Sequence, residues 1–101
     1  MTMLASNDAV NIAPNVYTVL FENERVRVLD VRMAPGQSSA KHTHPDGVWY
    51  VLAPMKARFT SADGGATEAE IPAGAVWRPA ETHAVDNIGT TDVRAIAVEL
   101  K

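Results

Sequence analysis

The tripeptide His42-Thr43-His44 sets two imidazoles one residue apart. On an extended strand, side chains at alternate positions share a face, and at roughly 3.3 Å per residue these two stand about 7 Å apart along the strand. Each metal–nitrogen bond spans about 2 Å, so two such rings can reach one ion. A closed site requires a third ligand from a distant strand, and His83 is the chain's one remaining histidine. Without it the pair would be only a polar feature of a solvated strand.

The elements that would bring these residues together are short and extended. Val16–Phe21 is rich in β-branched and aromatic residues. Arg25–Met33 alternates charged and apolar residues, as a half-buried strand does. Ala40–His44 carries the histidine pair, and Pro45-Asp46-Gly47 turns the chain into the apolar run Val48–Leu52. Lys56–Thr60 and Thr67–Ile71 flank Asp63-Gly64-Gly65, a hairpin signal. Ala75–Arg78, His83–Asn87 and Val93–Leu100 complete nine predicted strands, with almost no helix. Many short strands with regular turns point to a sandwich or barrel. An immunoglobulin-like sandwich would scatter the histidines, and its tryptophan–disulfide hallmark is absent. Residues 1–15 read as a flexible arm or an edge strand, and 16–101 as the barrel domain.

Two segments share a grammar of glycine, short strand or turn, and histidine. The first holds Gly36, His42 and His44; the second holds Gly74, Pro79, His83 and Asn87. Together they resemble the paired motifs of the cupin superfamily over about Val26–Leu100. The first motif's glutamate should fall near Gly47, Val48 or Trp49, none of which is a carboxylate, and its closing glycine falls near Pro54. In the second, Glu81 stands in place of a glycine and the turn is one residue short. The resemblance implies an all-β, cupin-like jelly-roll β-barrel in a single domain, in which His42, His44 and His83 converge on one divalent metal.

Imidazole ligands do not select among iron, zinc, manganese, nickel and copper. Three neutral rings leave the ion's charge of about +2 uncompensated, which favours a small anionic, chelating guest. Arg78 can pair with a guest carboxylate or stand as an exposed cation. Trp49 is expected on the cavity wall. Asn87 shares a strand face with His83 and can bond the guest or tie down a turn. Glu81 and Asp86, with Asp46, can hold a ligand histidine from behind or serve only local backbone. The chemistry that follows is of dioxygenase, isomerase or lyase type; the alternative is a non-catalytic module that binds a small ligand, with or without metal.

Composition narrows the rest. A chain of 101 residues makes one domain. It has no cysteine, hence no disulfide framework, thiolate zinc site or cysteine nucleophile. The net charge of −3 and scattered basic residues argue against nucleic acid as a partner. No stretch reaches the roughly 18 apolar residues of a membrane helix, and no leader pattern opens the chain, so a cytoplasmic protein is expected. Exposed strand edges and aromatic-rich strands suggest a homodimer.

Overall fold

A computed structural model describes residues 7–101. Two antiparallel sheets face one another. One has five strands in the order β1(Tyr17–Glu22), β2(Val26–Met33), β9(Val93–Leu100), β4(Gly47–Val51), β7(Gly74–Arg78). The other has four, in the order β3(Ser38–His44), β8(Glu81–Asn87), β5(Met55–Ser61), β6(Ala66–Ile71). This is the jelly-roll arrangement, and the nine expected strands are present with ends shifted by a residue or two. No helix among the described residues is long and apolar enough to cross a membrane.

The period-2 pattern decides what each strand contributes. On β2, Arg27, Leu29, Val31 and Met33 are buried; on β9, Val93, Ala95, Ala97 and Glu99 are. These rows face Ala57 of β5 and Val85 of β8 across the core. β4 pairs with β9 along its whole length, from Gly47 opposite Glu99 to Val51 opposite Ala95. At Gly47 the approach is closest: a Cβ there would sit 2.5 Å from the Val98 carbonyl oxygen, so only glycine fits.

The start of the chain differs from the expected arm. Residues 1–6 lie outside the described residues. Ala9–Ile12 forms one helical turn, α1, with Asp8 as its cap: the Asp8 carboxylate accepts from Val10 N at 3.0 Å. Ala9, Ala13 and Val16 are buried in the core. The edge-strand alternative survives only as a single parallel bridge between Asp8 and Thr43. The small, apolar Ala9 and Ala13 explain the difference, because they let the turn seat against the sheet where a polar arm would stay in water.

Candidate metal centre

His42 and His83 are direct cross-strand partners on β3 and β8, with His44 opposite Glu81 two residues along. The pairing of β3 with β8 is irregular between Ser39 and His42. This bulge breaks the alternation, so that Ser39, His42 and His44 are all buried. The bulge also turns the Ala40 carbonyl toward its own strand's histidine, 2.7 Å from His42 Nδ1.

Each imidazole is held from behind by its Nδ1. Ala40 O can only accept, so His42 carries its proton on Nδ1. His44 Nδ1 donates to Glu99 Oε2 at 2.6 Å. His83 Nδ1 lies 2.9 Å from Glu81 Oε1. The Nε2 atoms are left to face the interior. Those of His44 and His83 are buried without a partner, and that of His42 accepts from the Tyr17 hydroxyl at 3.0 Å. One nitrogen from each ring lies within 4.8 Å of the others. Buried polar atoms are normally paired. Two unpartnered nitrogens beside a third ring suit an ion held by His42, His44 and His83.

Electrostatics prepares His42 for this. Burial, reinforced by the neighbouring His44 and His83, pushes the His42 imidazole down to about 4, so it is neutral and able to ligate near neutral pH. Burial alone would raise Glu81, but its hydrogen bonds to His83 and Arg78 hold it at about 2. Burial raises the Tyr17 phenol well above its ordinary value, so it is a neutral donor to His42.

Glu99 was not anticipated. It is 1% exposed and also binds Arg27, through Nε at 3.0 Å and Nη2 at 2.6 Å. Arg27 Nη2 then reaches Asp8 Oδ1 at 2.8 Å. A chain of buried charges thus runs from the helix cap to a candidate ligand. Arg27 and Glu99 are register partners on β2 and β9. The readable signal was two opposite charges at inward positions of apolar rows.

The remaining expected site residues separate into two groups. Trp49 packs edge-on against His44, with ring centroids 5.1 Å apart. It lines a narrow cavity of about 40 Å³ together with Tyr17, Met55, Phe59, Arg78 and His83. At roughly 10–15 Å³ per water that is room for a few water molecules. Arg78 pairs with Glu81 and lies over the Phe59 ring, 5.1 Å from its centroid. Asn87 and Asp86 belong elsewhere. The Asn87 amide donates to Met33 O and Thr91 O and accepts from Gly89 N, so it ties down a turn. Asp86 alternates with the buried row and bonds Ser38 at the surface. Asp46 accepts from Ala80 N at 2.6 Å, also a turn role. Asn87 and Asp46 are taken up by backbone groups and Asp86 by the Ser38 hydroxyl, which sequence spacing from His83 does not reveal.

Neither a protein-family model nor a curated protein sequence matches the chain. Solved structures do. A cupin domain from Bordetella pertussis Tohama I superposes with a TM-score of 0.77 at 27% identity, covering 85% of this chain and 92% of that one. An RmlC-like cupin with a double-stranded β-helix fold from Methanocaldococcus jannaschii gives 0.66 at 16% identity, covering 84% and 78%. A protein from Thermotoga maritima described as a predicted oxalate decarboxylase gives 0.57 at 21% identity, covering 84% and 79%. The fold and the two segments together give this chain the architecture of a small single-domain cupin. Its clustered histidines fit a metal-binding member of that superfamily.

Two outcomes follow. Glu99→Gln keeps the shape but removes the charge behind His44, and metal affinity should fall about 10–100-fold in a competition titration against a chelator; unchanged affinity would show that Glu99 does not hold the ligand. In the metal-free protein the folded His42 takes up its proton at about 4, below its ordinary 6.5. The unfolded chain therefore binds that proton first, and stability is full above 6.5 and declines as pH falls toward 4. Urea midpoints measured over this interval should drop with acidification; a flat profile would contradict a buried neutral ring.

Proposed function

We propose that this cupin binds one divalent metal through His42, His44 and His83 and uses it to hold a small anion with an apolar body. The observation that carries the reading is the common orientation of the rings, with every Nδ1 engaged and the Nε2 atoms of His44 and His83 buried and unpartnered. A bound ion would act as a Lewis acid, polarising an oxygen of the guest. Iron, zinc, manganese, nickel and copper all suit imidazole. The protein's own contribution is positional. Trp49, Phe59 and Met55 give the cavity an apolar wall. Phe59, Arg78 and His83 also border an outer groove with Glu81 and Thr82, so Arg78 stands where a guest's anionic group would pass or rest.

The reaction class we favour is dioxygenase, isomerase or lyase chemistry on such a guest. The competing reading is a binding module without turnover. It draws support from the cavity wall, whose titratable groups are Tyr17, Arg78 and His83, with no carboxylate to serve as a base. Turnover requires metal-dependent anion capture, whereas the binding module works with or without the ion. Calorimetry on the metal-loaded protein should show a 2-oxo acid binding at least tenfold more tightly than its neutral methyl ester. His44→Ala should abolish the difference. Equal affinities for the two, or equal affinities with and without metal, would overturn the proposal.

We also propose that two copies pair through the outer face of the five-stranded sheet. Val48, Tyr50, Trp77 and Leu100 are exposed there. Val48 is the register partner of both Trp77 and Val98, so these residues form a continuous apolar surface beside the free edge of β7. Sedimentation of the wild type should give a dimer, and Trp77→Glu should shift it to monomer; a wild type of monomer mass at micromolar concentration would refute the pairing.

A further inference from the structure

The histidines are not the only groups facing the shared space. Glu81 and Glu99 bind Nδ1 atoms and so stand behind their rings. Tyr17, the first residue of β1, has its oxygen on the other side, 3.0 Å from His42 Nε2. Its ring packs against both members of the histidine pair, with centroids 5.0 Å from His42 and 5.2 Å from His44. The residue is 2% exposed, so bulk water does not compete for the hydroxyl.

We propose that Tyr17 is a fourth metal ligand, coordinating through its phenol oxygen. This rests on the three-histidine reading above and adds to it an oxygen donor from a different sheet. The spacing supports it. Two donors each about 2.0–2.1 Å from one ion stand roughly 2.9–3.4 Å apart at octahedral to tetrahedral angles, and the Tyr17 oxygen and His42 Nε2 lie within that interval at 3.0 Å. The contact is a hydrogen bond while the proton is present; once the proton is lost, the same separation would suit two neighbouring donors to one ion lying off the line between them. The Tyr17 O–H bond breaks, a metal–oxygen bond forms, and the proton leaves to solvent; no electron moves. A bound cation makes such a loss favourable even in a buried setting, because it is the largest local charge. Coordination also places one negative charge beside an ion otherwise held by neutral rings, where uncompensated charge is costly.

Copper(II) is the probe, since it binds nitrogen and oxygen sites most strongly among the first-row divalent ions and a bound phenolate gives it a visible charge-transfer band. The chain has two tyrosines, and Tyr50 is 53% exposed, so each can be replaced in turn. Wild type loaded with copper(II) alone should bind one equivalent and show the band; Tyr50→Phe should keep it and Tyr17→Phe should lose it while retaining copper. Should Tyr17→Phe not fold, resonance Raman on the wild type decides, through the presence or absence of metal-enhanced phenolate ring modes. Copper retained at one equivalent without band or ring modes overturns Tyr17 ligation and leaves the three histidines standing. Failure to retain copper at all overturns both.

Discussion

The Arg27–Glu99 pair is the constraint on which the site depends. Two opposite charges face inward on neighbouring strands, with side chains 5% and 1% exposed. Taking such charges out of water is expensive, and the cost is recovered only when geometry is good and every lone pair finds a donor. Glu99 meets that condition by accepting from Arg27 on one oxygen and from His44 on the other. Arg27 extends the arrangement to Asp8. An apolar pair here would pack as well and could be more stable. It would leave His44 Nδ1 without its acceptor, so the charges are best understood as fixing a ring orientation.

The same logic operates at the other two rings with different parts. His83 takes a carboxylate from its own strand, where Glu81 lies two residues away. His42 takes a backbone carbonyl, available because the bulge after Ser39 turns Ala40 O inward. Three separate devices therefore give the same result: each Nδ1 is anchored and each Nε2 points inside. Convergence of that kind is hard to account for as packing alone, since packing is indifferent to which nitrogen faces the cavity.

Much of this was legible beforehand. Alternation and turn residues locate nine strands, and the His-x-His spacing with Gly74, Pro79 and His83 indicates both the fold and the three rings. What spacing could not show was pairing across the sheets. Glu99 looked like an ordinary polar residue of a closing strand; its meaning appears only when β2 and β9 are aligned and Arg27 falls opposite it. Tyr17 was legible as strand material, and its hydroxyl contact depends on β1 and β3 meeting across two sheets. Asn87 failed in the other direction. Its parity with His83 is right and its side chain is buried, but Met33 O takes one of its amide protons and the turn at Gly89 and Thr91 engages the other and its oxygen.

The first described residues have a further consequence. Asn7 and Asp8 lie along β3 at Thr43, between the two paired histidines: Thr43 N donates to Asn7 O at 2.8 Å, and Asn7 Nδ2 to Thr43 Oγ1 at 2.9 Å. Asp8 meanwhile ends the charge chain that begins at His44. If an ion held by the histidines fixes His44, fraying of this short segment and occupancy of the site are linked equilibria, and linkage is reciprocal. An ion that stiffens His44 must, by the same free energy, hold down the segment that caps α1. On that reading the order of residues 7–12 becomes a thermodynamic readout of whether the histidines are occupied.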